Sequence, residues 1–196
     1  MLNNILVPLD GSSLAEAALP YAEAIARRTG ASLTLVRNAQ HRSLLGDLAY
    51  LDVQQTIEQA EDYLASLADR LTARGFTVQT GVPFGGTAAD WILDEIELRH
   101  ADMVVMATHD RVGPDRWVRG SVAESVVHRS TIPVMLVRAG DSESLAARFG
   151  ERRPVLVVPL DGSELAEAAL PFARGLAQIL AAEVKLVGVL PHQASW

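Results

Sequence analysis

The chain has 196 residues, 49% of them apolar, with a formal net charge of −7 and no cysteine. That composition provides for one full domain with a sizeable core, and it excludes disulfides, cysteine-based zinc sites and thiol catalysis. The acidic balance argues against a nucleic-acid partner. No apolar run reaches the roughly 18–20 residues of a membrane span. "MLNNILVPLDGS" also lacks the basic flank and cleavage site of a signal peptide. The expectation is a soluble, cytoplasmic protein without a membrane partner.

In chain order, short apolar runs alternate with helical patterns. The first strand is predicted at Asn4–Leu9 and the first helix at Ser13–Thr29, where Ser13 and Glu16 have the spacing of a capping box. Pro20 falls inside that helix and is expected to kink it or shift its hydrogen bonding. A strand at Ser32–Asn38 is followed by a long helix at Leu51–Arg74. A strand at Thr77–Gly81 is followed by a helix at Thr87–Arg99. The acidic residues of that last helix, Asp90, Asp94, Glu95 and Glu97, read as its solvated side, and Trp91 as a packing residue. Strands at Asp102–Ala107 and Pro133–Arg138 flank a helix at Ser121–Arg129, again with a capping-box spacing in Ser121 and Glu124. "MVVMA" and "VMLV" are nearly all apolar, as strands buried on both faces are. Alternation of this kind implies right-handed crossovers and a doubly wound, five-stranded parallel sheet with helices on both faces. The strand order 3-2-1-4-5 is assumed for it.

The chain also repeats itself. "PLDGSSLAEAALP" (Pro8–Pro20) returns as "PLDGSELAEAALP" (Pro159–Pro171) with one mismatch, and Ser32–Val36 falls more weakly on Glu183–Val187. Residues 1–140 therefore read as one complete domain, 141–153 as a polar linker, and 154–196 as strand, helix and strand of a second copy.

Ligands of open doubly wound sheets sit beyond the carboxyl ends of the strands, where the strand order reverses. That places Leu9–Ser13 and the stretch "ATHDRVGPDRWVRGS" (Ala107–Ser121) at the expected crevice. Asp10 is suited to accept hydrogen bonds from a ribose hydroxyl or a base amine. Gly120 and Ser121 offer backbone N–H groups and a hydroxyl to phosphate at a helix N-terminus. Read singly, the Asp-Gly-Ser is a turn with a helix cap, and Arg111, Arg116 and Arg119 a solvated basic face; converging on one crevice, they favour a ligand site. His100, His109 and His128 are scattered without metal-ligand spacing. Ser12 and Ser121 lack a nucleophile elbow or a partner base. No catalytic constellation is visible, and the chain reads as a non-enzyme.

"ILVPLDGS" and "GSVAESVVHRSTIPVMLVR" closely resemble the first strand and loop, and the last helix and strand, of the universal stress protein family. The resemblance covers residues 1–140 as a whole domain and 154–196 as the start of another. It implies an adenine nucleotide alpha-hydrolase-like α/β fold, a role in stress tolerance, and dimerisation through the last strand, here Ile132–Arg138, or through the partial second domain. It further implies an ATP-type nucleotide held by Pro8, Leu9, Asp10 and Val36 on one side of the crevice. Ala107, Thr108, His109, Asp110, Arg111, Gly113, Gly120, Ser121 and Val122 would hold it on the other. The nucleotide-binding pattern of the family, G-x2-G-x9-G-[ST], falls on Ala107, Asp110, Gly120 and Ser121, so the first two positions depart from it. A carboxylate about 5 Å from a phosphate charge costs on the order of 3 kcal/mol at an effective dielectric of about 20. That is a loss of roughly two orders of magnitude in affinity. Neighbouring arginines, or a Mg²⁺ bridging Asp110 to phosphate oxygens, would offset it, and Gly113 would supply backbone freedom. The competing expectation is a nucleotide-free module that works by dimerising or docking a partner. An adenylating enzyme would need a Ser-Gly-Gly loop or a His-x-Gly-His signature after the first strand, and "PLDGSS" has neither.

Overall fold

All six residues of β1 (Asn4–Leu9) are buried, as the central strand of a sheet covered on both faces must be. The computed structural model describes residues 2–39, 48–108, 122–138 and 153–188. It divides the chain into two compact units, Met1–Ala146 and Ala147–Trp196. In the first, β1 is followed by α1 (Ser13–Glu16), α2 (Leu19–Thr29), β2 (Ser32–Arg37), α3 (Leu48–Thr72) and β3 (Val78–Gly81). Then come α4 (Ala88–Leu98), β4 (Met103–Thr108), α5 (Val122–Arg129) and β5 (Val134–Arg138). The five strands are parallel in the order β3-β2-β1-β4-β5.

Alternation along the strands serves both faces. Leu6, Val36, Val104 and Met106 face one side and pack into a single cluster with Trp91, Ile92 and Ile96 of α4 and Ala123 and Val126 of α5. Ile5, Val7, Leu33 and Leu35, each fully buried, alternate onto the other side, where α2 and α3 lie. The sheet is thereby sandwiched, and the carboxyl ends of β1 and β4 are left open between the two helical layers.

Three local expectations are corrected. The helix expected over Ser13–Thr29 is two helices, because Pro20 has no N–H to continue the ladder; it takes the first turn of α2, where a missing donor costs nothing. The N-cap is Ser12, not Ser13: the Ser12 Oγ accepts from the Ala15 N–H at 3.1 Å. Glu95 is not on a solvated side but 6% exposed, and its Oε2 takes the Arg99 Nε–H at 3.0 Å. At the head of α4, Thr87 and Asp90 form a reciprocal capping box, and Asp90 also accepts from Arg129 of α5 at 2.7 Å.

The second unit contains β6 (Val155–Leu160), α6 (Glu164–Glu167), α7 (Leu170–Leu180) and β7 (Glu183–Gly188), with β6 and β7 parallel. It reproduces the helix break of the first copy at Pro171. Its burial does not follow: Val157, which stands where Leu6 stands in the first unit, is 60% exposed, whereas Leu6 is fully buried. Among the described residues, no helix is long and apolar enough to cross a membrane.

Candidate functional site

The turn that leaves β1 is built by its own three residues. Asp10 Oδ1 accepts from the Ser12 N–H at 2.8 Å and the Ser12 hydroxyl at 2.5 Å, while Gly11 supplies a φ of +87°. The same arrangement recurs in the second unit, where Asp161 accepts from Ser163 and Gly162 has a φ of +83°. Those hydrogen bonds from Ser163 hold the Asp161 carboxyl below its ordinary value. Two copies with different surroundings form one turn, so Asp-Gly-Ser is a local cap in its own right. What makes the first copy a site is what stands around it.

A cavity of about 640 Å³ opens there, at the carboxyl ends of β1, β2 and β4. That is within the roughly 300–1,000 Å³ of small-molecule sites. Pro8, Leu9, Asp10, Ala107, Thr108 and Val122 line it, so six of the expected site residues converge on one space. Asp10 is exposed, and its Oδ2 has no partner among the described residues. Val36 is fully buried beneath the cavity and does not line it; Asn38, two residues further along the chain, does. His109, Asp110, Arg111, Gly113, Gly120 and Ser121 lie outside the described residues, as do Arg116 and Arg119.

The remaining wall was not foreseen. Leu14 and Ala15 of α1, Arg37 at the end of β2 and Asn38 after it, Thr56 of α3, and Ala88, Trp91 and Ile92 of α4 all border the cavity, with Met106 and Ala123. The signal for Arg37 and Asn38 was their place, two polar residues closing a strand beside the switch point. The Arg37 guanidinium stacks on the Tyr63 ring at 4.8 Å and lies 3.0 Å from where a Cβ on Gly11 would sit. Tyr63 in turn donates to Glu16 Oε1 at 3.0 Å, and Arg70 stands 3.6 Å from the same carboxylate. Burial, and then the bond to Glu16, push the Tyr63 phenol well above its usual value, so it remains a hydrogen-bond donor throughout the physiological range. Gly188 occupies the Arg37 position of the second copy, so this cation belongs to the first site alone. Among the described residues, no group of three His, Cys, Asp or Glu is placed to hold a metal ion.

An open parallel sheet in the order 3-2-1-4-5, with a ligand-sized crevice at its switch point, defines a doubly wound α/β protein of the adenine nucleotide alpha-hydrolase-like type. The family model for the universal stress protein family matches residues 1–138. A Staphylococcus aureus (strain USA300) protein assigned to the universal stress proteins is 33% identical over 153 residues, covering 74% of this chain and 88% of that protein. In fold, a universal stress protein from Archaeoglobus fulgidus DSM 4304 is similar at a TM-score of 0.69 and 23% identity, over 98% of this chain and 69% of its own. A member of the family from Burkholderia pseudomallei is similar at a TM-score of 0.56 and 22% identity, over 69% of this chain and 95% of its own. The chain belongs to the universal stress protein family.

Proposed function

We propose that this protein is a non-enzymatic stress-response module that binds an adenine nucleotide, of the ATP type, in the crevice beside Asp10. The observation that carries this reading is the cavity at the switch point, large enough for a nucleoside and bordered by Asp10, whose Oδ2 has no partner among the described residues, and by an apolar wall of Ile92, Met106 and Ala123. A carboxylate oxygen with no partner among the described residues suits a ribose hydroxyl, and the apolar wall suits the flat face of a base. The phosphates would extend toward Gly120 and Ser121, with Asp110 opposing them unless an arginine or Mg²⁺ neutralises it. Residues 1–140 are read as a complete domain, 141–153 as a linker and 154–196 as the start of a second, and the setting as cytoplasmic.

Titration calorimetry with Mg-ATP, ADP and AMP tests the reading. Binding in the micromolar range is expected, and Asp110→Gly is expected to tighten ATP by about tenfold or more. No heat with any of the three up to about millimolar concentration, equivalent to binding weaker than about 4 kcal/mol, would sink it.

A second reading rests on a different observation. β5 is an edge strand with Leu136 43% exposed, and β6 and β7 present Val155, Val157 and Leu186 to solvent. Such edges favour pairing with another chain, so a homodimer through Ile132–Arg138 or through the second unit is the alternative route to function. It does not require nucleotide.

A further inference from the structure

α7 (Leu170–Leu180) and β7 (Glu183–Gly188) stand in the second unit where α2 (Leu19–Thr29) and β2 (Ser32–Arg37) stand in the first, residue for residue and without a gap. Each residue of α7 therefore has a counterpart whose surroundings are known. In the first unit, the end of α3 and the turn after it pack on α2. Arg74 donates to Glu23 Oε1 at 2.9 Å, and Arg27 lies over the Phe76 ring at 5.1 Å. Leu19, Ala22, Glu23 and Ala26 are buried there, as are Leu67, Leu71 and Phe76.

The matching surface of the second unit is open. A groove of about 590 Å³ lies against α7, bordered by Leu170, Ala173, Ala177 and Val184 together with Arg153 and Arg174. The three helical apolar residues stand where Leu19, Ala22 and Ala26 stand in the first unit. Val184 is 39% exposed, whereas its counterpart Leu33 is fully buried. The charge, however, is inverted: an exposed Arg174 takes the place of Glu23, and Gln178 that of Arg27. Arg153 adds a second guanidinium, its Nε donating to the Ala181 carbonyl at 3.1 Å. Among the described residues, no carboxylate borders the groove. A segment like the end of α3 would bring Arg74 onto Arg174. The groove thus keeps the apolar lining of an α3 site and rejects its charge.

We infer that this groove docks an amphipathic helix of a partner protein, its apolar side chains against Leu170, Ala173, Ala177 and Val184 and a carboxylate paired with Arg174 and Arg153. The apolar contact removes exposed surface from water, and the guanidinium forks select an acidic helix over a basic one. The inference does not rest on the nucleotide reading, because the groove shares no residue with the cavity beside Asp10. It also differs from pairing at a strand edge, since the docked helix satisfies its own backbone.

Two labelled synthetic peptides test it by fluorescence anisotropy on the full chain. Both span Gln54–Thr77, the segment that fills the first unit's groove; one keeps Arg74 and the other carries Arg74→Glu. The unmodified protein is expected to bind the Arg74→Glu peptide about fivefold more tightly, as repulsion from Arg174 gives way to attraction. Arg174→Glu in the protein is expected to reverse that order, since a carboxylate then faces Arg74 as Glu23 does in the first unit. Arg174 is exposed, so its replacement leaves the fold intact. Equal affinity of the unmodified protein for the two peptides overturns the inference, as does no binding of either up to about millimolar concentration. A preference that Arg174→Glu leaves unchanged also overturns it, because the peptide would then be held elsewhere. If light scattering instead shows a dimer that Arg174→Glu dissociates, the occupant is a second copy of this chain and the partner helix is excluded.

Discussion

Gly11 shows how much a single residue can be asked to do. Its φ of +87° lies in the left-handed region, and a Cβ there would meet the Arg37 guanidinium carbon at 3.0 Å. Gly162 has nearly the same φ, but nothing lies within 4 Å of its added Cβ. The two positions separate backbone strain from crowding. Gly11→Ala and Gly162→Ala are each expected to lose about 1 kcal/mol from the left-handed backbone. Only Gly11→Ala is also expected to displace Arg37 from Tyr63, adding a few tenths to about 1 kcal/mol from the cation–π contact. Denaturant melts give the first quantity, and the change in tyrosine environment by near-ultraviolet dichroism reports the second. A Gly11→Ala variant indistinguishable from Gly162→Ala by both measures would mean that the stack does not matter. The triplet Asp10-Gly11-Ser12 was legible in the sequence as a turn and cap. That Arg37 presses on it was not, because the contact joins two strands whose pairing register had to be known.

At the scale of the element, α4 is where local and tertiary causes meet. Its start is encoded locally, by Thr87 capping the Asp90 N–H and Asp90 returning the favour. Hydrogen bonds from the Thr87 side chain, and then from Arg129, hold the Asp90 carboxyl below its ordinary value of 3.8. A carboxyl whose folded-state pKa is depressed adds stability above its unfolded value and loses it as pH falls through the folded one. The gap in melting temperature between the native chain and Asp90→Asn is therefore expected to be widest near about pH 7 and to shrink steadily below about pH 4, largely gone by about pH 2. Thermal melts across that range check it, and a gap independent of pH would contradict the assignment. Sequence reasoning placed this helix to within a residue at either end but gave all four of its acids to solvent. Helical spacing alone cannot tell that Glu95 turns inward, since a buried carboxylate becomes tolerable only once Arg99 is there to meet it. The split of the first helix was half legible. Pro20 announced a break, and where the chain resumed depended on the next available first-turn position.

At the scale of the molecule, the two copies of one sequence motif have different fates. Leu6 and Val157 occupy matching positions in β1 and β6, yet one is fully buried and the other 60% exposed. The difference lies in their company: β4, α4 and α5 cover the first, and among the described residues of the second unit only α6, α7 and β7 accompany β6. Exposed apolar strand faces and the open β5 edge lead to an expectation about assembly. Light scattering is expected to report a dimer that Leu136→Lys weakens if the β5 edge carries it, and that Val157→Lys weakens if the second unit does. A monomer at all concentrations, in a chain that is otherwise folded, would remove the docking alternative. Much of the architecture was decided by the sequence itself. The alternation of apolar runs and amphipathic segments determined a doubly wound parallel sheet, and the repeated PLDGS turn determined its own conformation twice, because both depend on local periodicity and short-range hydrogen bonds. Only the tertiary structure decided that Val36 is fully buried while Asn38 lines the cavity, and that Trp91 lines the same cavity. Those assignments depend on strand register and on how α4 packs against the sheet, and no property of a segment taken alone contains them.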